Sequence, residues 1–249
     1  IAIAKPAQDN IIKFYSKGFE NPFIIDLDVL EPIEEEKGTT SALMRGIAAR
    51  FVQLGYKIGG FRAYINSDVL PGSGLSSSAS IEVLLGTILS YLHNDGEISP
   101  ETLAKIGQYA ENEFFGKPCG LMDQMACAIG GFVTIDFKDI DNPIVEKIDF
   151  NIEDQGYDRI VVDTGGNHSD LTEDYAAVPR EMKSVAQAMG GNVCREFSME
   201  ELIENIPALR GRVGDRAILR GMHFFADDNR VVDQVVALKK GDFDGFLKL

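Results

Sequence analysis

The chain has 249 residues, 45% hydrophobic and 25% charged, and its 39 acidic against 24 basic residues leave a formal net charge of −15. That composition suits a globular protein large enough for one large or two modest domains, and the charge argues against nucleic acid or an anionic membrane as partner. No apolar run approaches the ~18 residues of a membrane span, no signal peptide is evident, and Cys119, Cys127 and Cys194 are too few and scattered for a disulfide framework or a zinc site, so a reducing cytoplasm is expected. The chain begins without Met and stops at Leu249 inside a helical pattern, which reads as part of a longer protein.

Residues 1–30 alternate apolar and polar patches, with Lys17-Gly18 and Asn21-Pro22 as turn signals, and read as antiparallel strands. Residues 40–54 place Leu43, Ile47, Phe51 and Leu54 on one helical face, ended by Gly55. Residues 61–70 read as a strand. They lead into Pro71-Gly72-Ser73-Gly74-Leu75-Ser76-Ser77-Ser78-Ala79-Ser80, after which Ile81, Leu84, Leu85, Ile88, Leu89 and Leu92 repeat at helical spacing. Strand, glycine loop and helix form a phosphate-binding arrangement. Gly72 and Gly74 let the backbone approach a ligand at positive φ, and the first helical turn has unpaired N–H groups. Ser76, Ser77, Ser78 and Ser80 add hydroxyls that can cap the helix, donate to phosphate or ligate Mg²⁺. The loop is not a Walker A motif, because Leu75 rather than Lys follows Gly74. The same residues also suit an N-capped helix after a tight turn, so the loop by itself leaves both readings open.

Ser99-Pro100-Glu101 starts a further helix, with Ser99 as cap, that reaches about Phe115. Pro118 and Gly120 interrupt it, and a new helix begins near Leu121 and ends at Gly130-Gly131. Asp123 then falls in a first turn, where the dipole favours a carboxylate, and a simple helix-start charge would look the same. Residues 132–137 and 159–163 look like strands, with one more possible at 144–150. A turn cluster over residues 163–170 precedes a helix that carries Tyr175 and is kinked or broken at Pro179. His168 reads as a turn residue, since no second His or Cys stands at a metal-ligand spacing from it. Tyr175 alone reads equally as a half-buried helix aromatic. Helices follow at residues 199–206, 213–227 and 231–239 and from residue 242, and Arg210, Arg212, Arg216 and Arg220 read as a solvated basic face.

Two of these stretches resemble a single family. The loop at residues 71–80 is similar to the ATP-binding motif of the GHMP kinases, with the triple serine of its galactokinase form. Ala110-Glu111-Asn112-Glu113-Phe114-Phe115-Gly116-Lys117-Pro118-Cys119-Gly120-Leu121-Met122-Asp123-Gln124 is similar to the segment Ala-Glu-x-x-Phe-x-Gly-x-Pro-Cys-Gly-(Ile/Leu)-Met-Asp-Gln of the same group, at every fixed position. The resemblance implies an α+β GHMP kinase fold. A ribosomal protein S5 domain 2-like amino-terminal domain would span residues 1–156, and residues 157–249 would supply part of a ferredoxin-like carboxy-terminal domain, with the nucleotide between them. It further implies ATP and Mg²⁺ as cofactors, galactose as the sugar phosphorylated on its 1-hydroxyl, and a cytoplasmic monomer acting on small molecules. Residue by residue, it assigns Pro71, Gly72, Ser73, Gly74, Leu75, Ser76, Ser77, Ser78, Ala79 and Ser80 to the nucleotide and Ser78 and Glu111 to the metal. Asp123 is assigned to the proton of the sugar hydroxyl, and Gly120, Asp123 and Tyr175 to the sugar. Two other family signatures, an amino-terminal Gly-Glu-His-Thr-Asp-Tyr and a carboxy-terminal Gly-x-Gly-Phe-Gly-Gly, are absent from these residues. A kinase for N-acetylgalactosamine or arabinose, and a galactose- and ATP-binding regulator without turnover, therefore stand as alternatives.

Overall fold

In the computed structural model, which describes residues 1–69, 74–162 and 172–249, the amino-terminal alternation of apolar and polar residues folds as a sheet. Strands β1 (Ala2–Pro6), β2 (Ile11–Ser16), β3 (Phe23–Asp26) and β4 (Phe61–Ile65) lie in the order β1-β4-β2-β3. β4 runs antiparallel to β1 and parallel to β2, and Ile12 stands opposite Phe61 and Phe14 opposite Ala63. Ile12, Phe14, Ile25, Phe61, Ala63 and Ile65 are buried on one face, while Ile3, Tyr15, Ile24 and Tyr64 are exposed on the other. This is the period-two division of a sheet covered on one side.

The cover is helical. Met44, Ile47 and Phe51 of α1 (Thr40–Gln53), Leu85, Ile88 and Leu89 of α2 (Ser77–His93), and Leu103 and Ile106 of α3 (Pro100–Ala110) share one core with the strands. The caps are those the sequence implies: the Ser99 hydroxyl accepts from the Thr102 amide at 3.2 Å with Pro100 first in the helix, and Thr39 accepts from Ala42 at 3.4 Å. α3 continues into one wider π-helical turn, Glu111–Phe115, and α4 (Met122–Ile129) packs on both α2 and α3.

The approach of α1 to α3 depends on one glycine. A Cβ at Gly46 would lie 2.8 Å from Ala110 Cβ and 2.9 Å from Phe114 Cγ. Gly46→Ala is accordingly expected to destabilise the protein by about 1–3 kcal/mol through overpacking, although alanine is the better helix former by about 1 kcal/mol. A urea midpoint at or above that of the parent would mean that the two helices are not in contact there.

Residues Ile1–Gly130 form one compact unit and Gly131–Leu249 a second. β5 (Phe132–Asp136) and β6 (Ile144–Ile148) pair as a separate antiparallel ribbon. Phe132, Ile148 and Phe150 share a core with Leu238, Phe243 and Phe246 of the last two helices, and Phe150 meets Phe132 edge-on at 5.1 Å. A second cluster, Val185, Leu202, Leu209, Ile218 and Phe225, joins α5 (Thr172–Met189), α6 (Met199–Val213) and α7 (Asp215–Lys239), and α8 (Phe243–Lys248) follows.

Three local expectations fail in this unit. Residues 159–162 form no strand, and Ile160, Val161 and Val162 are 82%, 63% and 74% exposed. β-branched residues become a strand only where a neighbouring strand pairs with them, and no described segment does so here. α6 runs through Pro207 and α7 runs unbroken across residues 227–231, because burial of Leu202, Leu209 and Phe225 outweighs a lost backbone hydrogen bond or a weak local signal. The arginine run also does more than face solvent. Arg216 and Arg220 both bond Glu181 of α5, Arg212 donates to the Ala188 carbonyl at 2.8 Å, and the two guanidiniums hold the Glu181 carboxyl below the usual carboxylate range, with Arg216 contributing most. Among the described residues no helix is long and apolar enough to cross a membrane.

Candidate functional site

The site is assembled where α2, the π-helical turn and α4 meet. Ser76 precedes α2 in the left-handed region, φ 58° and ψ 49°, which costs a non-glycine residue about 1 kcal/mol. In that conformation its hydroxyl donates to Asp123 Oδ2 at 2.5 Å, joining the glycine loop to the first turn of α4. Two residues further on, Ser78 Oγ donates to Glu111 Oε1 at 3.3 Å. Asp123 is exposed, whereas Glu111 is 3% exposed and reaches solvent-side charge only through Lys117, whose Nζ lies 3.5 Å from Oε1.

Behind this pair lies a buried polar layer. Gln124 Nε2 donates to Glu111 Oε2 at 2.8 Å and to Glu82 Oε2 at 3.0 Å, with Gln124 and Glu82 each 1% exposed. Gly107 of α3 makes room for it, since a Cβ there would stand 3.0 Å from Glu82 Oε2. Asn112 accepts from the Cys119 amide at 2.7 Å and Gln108 donates to the Cys119 carbonyl at 3.3 Å, which pins the turn between Glu111 and Asp123. Burial, followed by the neighbouring Glu111, pushes the Cys119 thiol up to about 12, so it is no nucleophile.

Burial also pushes the Glu82 carboxyl up to about 8, against the Gln124 hydrogen bond that favours its charged form. The folded protein therefore keeps a proton at Glu82 that the unfolded chain releases near 4.5. Stability from this group is fully present below that value and is lost as pH rises through about 8. Glu82→Gln cannot ionise. In EDTA its unfolding free energy relative to the parent is expected to rise between about pH 5 and about pH 9, as read from urea titrations at each pH, and a constant difference would remove Glu82 as the titrating group.

Serine and glutamate together fit a hard cation. Among the described residues no three His, Cys, Asp or Glu side chains gather as a metal centre. Ser78 Oγ and Glu111 Oε1 are two oxygen donors on one spot, and Mg²⁺ is characteristically held by one or two carboxylates with substrate phosphates and water supplying the rest.

Of the residues singled out from sequence, Ser76, Ser78, Glu111 and Asp123 are brought together. Gly74, at φ 75°, and Leu75 are exposed beside them, Ser77 and Ser80 are half-buried, and Ala79 is packed inside at 1% exposure. Gly120 is exposed, with open space where a side chain would stand. Pro71, Gly72 and Ser73 lie outside the described residues, as does the side chain of Tyr175, whose backbone belongs to α5. Glu82 and Gln124 carried no expectation from sequence. Each is a polar residue set in an apolar helical stripe, Glu82 one turn after Ser78 and Gln124 between Leu121 and Met125, and that misfit was the available signal.

An apolar cavity of about 610 Å³, lined by Phe137, Met182, Phe224 and Val232 among others, belongs to Gly131–Leu249 and contains none of these residues.

A glycine loop opening a helix, with a serine–glutamate pair and an aspartate beside it, has the make-up of a small-molecule phosphotransferase site. Residues 42–131 match the family described as GHMP kinases N terminal domain. The chain as a whole is similar to galactokinases. It is 35% identical over 181 residues to the galactokinase of Glaesserella parasuis, covering 72% of this chain and 45% of that one. To that of Thermotoga petrophila it is 31% identical, over 89% of this chain and 61% of that one. The human galactokinase is 32% identical over 76% of this chain and 47% of its own. The chain thus spans about half to three fifths of the length of these relatives. Among solved structures, the galactokinase of Lactococcus lactis complexed with galactose superposes with a TM-score of 0.76 at 25% identity, over 98% of this chain and 63% of that one. A heptose 1-phosphate kinase, at a TM-score of 0.56 and 16% identity, shares the fold.

Proposed function

We propose that this protein transfers the terminal phosphoryl group of ATP to the 1-hydroxyl of galactose. The observation that carries this reading is the convergence at the start of α2, where Ser76 meets Asp123 at 2.5 Å and Ser78 meets Glu111 at 3.3 Å. The two stretches that resemble the family are there a single site. Galactose in the structure of the Lactococcus lactis relative supports the choice of sugar.

In this reading residues 71–80 hold the triphosphate through backbone N–H groups and serine hydroxyls at the positive end of α2. Ser78 and Glu111 would hold Mg²⁺, which would supply neutralisation of the charge on the phosphates. Asp123 keeps Oδ2 on the Ser76 hydroxyl and offers Oδ1 to the hydroxyl of the sugar. A carboxylate is far too weak a base to form an alkoxide in advance, so the proton moves late and much of the benefit is orientation. The family resemblance assigns Gly120 and Tyr175 to the sugar as well. The free Cys119, Cys127 and Cys194 support a cytoplasmic enzyme.

The test is ADP release by the full-length gene product with galactose, N-acetylgalactosamine and arabinose. Turnover greatest with galactose is expected, whereas ATP binding without sugar-dependent turnover would replace the kinase with a binding protein.

A further inference from the structure

We propose that Gln124 is a positioning residue for the metal-holding carboxylate: its amide bridges Glu111 to Glu82 and fixes which oxygen of Glu111 faces Ser78. The inference rests on the reading that Glu111 and Ser78 hold Mg²⁺.

The Gln124 side chain has one donor nitrogen with two hydrogens, and its nearest acceptors are Glu111 Oε2 at 2.8 Å and Glu82 Oε2 at 3.0 Å, with Cys119 Sγ further off at 3.7 Å. Turned over, its carbonyl oxygen would face the Glu111 Oε2 carboxylate oxygen at 2.8 Å with no hydrogen between them, so the amide stands with its nitrogen toward Glu111. Glu111 Oε2 is thereby occupied, and Oε1 is the oxygen left to face Ser78 Oγ at 3.3 Å and Lys117 Nζ at 3.5 Å. Lys117 is 65% exposed along its side chain and is free to withdraw when a cation arrives.

The arrangement is not the one that stability alone would select. Gln124 Oε1 and Glu82 Oε1 are buried without a hydrogen-bond partner. Orphaned acceptors of this kind cost free energy, and an apolar layer between α2, α3 and α4 would avoid the cost. What the layer provides in return is a carboxylate with one oxygen held from behind. Outer partners of metal-binding carboxylates act in this way, and their loss commonly weakens metal binding by about 10–100-fold.

The experiment uses Mn²⁺ as the probe, titrated into the full-length gene product saturated with ADP and followed by the electron paramagnetic resonance of free Mn²⁺. Three variants are compared with the parent: Gln124→Leu, Gln124→Asn, whose shorter amide cannot span both carboxylates, and Glu111→Gln. Both Gln124 variants are expected to weaken Mn²⁺ by about 10-fold or more, with ADP affinity in EDTA unchanged. The Mg²⁺ needed for half-maximal ADP release should rise in parallel, while kcat at saturating Mg²⁺ stays near that of the parent. A merely structural glutamine would lower the unfolding midpoint and leave Mn²⁺ affinity alone, and that result overturns the proposal. If Gln124→Leu does not fold, Gln124→Asn carries the comparison. Weakened Mn²⁺ in Glu111→Gln with parental affinity in the Gln124 variants would sink the positioning role alone. Parental affinity in Glu111→Gln would sink the metal reading and the inference with it.

Discussion

Asp123→Asn is expected to lower kcat for galactose-dependent ADP release by about 10²–10⁴-fold, or about 3–5 kcal/mol of transition-state stabilisation, with ATP affinity unchanged. The substitution keeps shape and the acceptor for Ser76 Oγ, now 2.5 Å from Oδ2, and removes only the charge that, in the proposed reading, takes the proton of the sugar. The Ser78–Glu111 pair is untouched, since it belongs to α2 and to the π-helical turn rather than to α4. Nucleotide binding measured without sugar, beside single-turnover kinetics, separates the two effects. Near-parental turnover would remove Asp123 as the base, and loss of ATP binding would mean that the Ser76 contact holds the loop rather than the carboxylate.

The second large effect concerns stability. Arg45 is 4% exposed in α1, yet its guanidinium makes a two-pronged pair with Glu36, Nε to Oε2 at 2.8 Å and Nη2 to Oε1 at 2.7 Å. Nη1 donates to the carbonyls of Val29 and, at 3.4 Å, of Asp26. One side chain thus ties the connection after β3 to the second turn of α1. Arg45→Leu leaves a largely covered carboxylate and the Val29 carbonyl without their donor, and is expected to cost about 3 kcal/mol. Arg45→Lys should recover less than half of it, because an ammonium cannot reproduce the fork. Urea midpoints at constant slope provide the measurement, and a loss below about 1 kcal/mol would show that water replaces the fork without penalty.

Much of the site was legible because its residues stand in two contiguous strings. Glu111 and Asp123 lie within one motif and Ser76 and Ser78 within another, so matching strings named them without any knowledge of the fold. Glu82 stands outside both strings, and Gln124, though it ends the second of them, carried no role there. They act on one another across 42 positions, and Gln124 acts on Glu111 across 13. A glutamate in an apolar stripe acquires a role only when its partner is known. Arg45 is a similar case: its partners Glu36 and Val29 precede the helix, and a basic residue inside α1 signals neither of them.

The sequence by itself determined where α1 and α3 begin and that β2 and β4 bury one face, because these depend on hydrogen bonds and side-chain periods that close within a few residues. Only the tertiary structure decided that β4 lies between β1 and β2, that Pro207 stays inside a helix and that residues 159–162 form no strand. It likewise decided that a buried amide stands behind Glu111. Those outcomes depend on which distant segment arrives to pair with a strand edge or to cover an apolar face, and the free energy of that burial is larger than the local preferences it overrides.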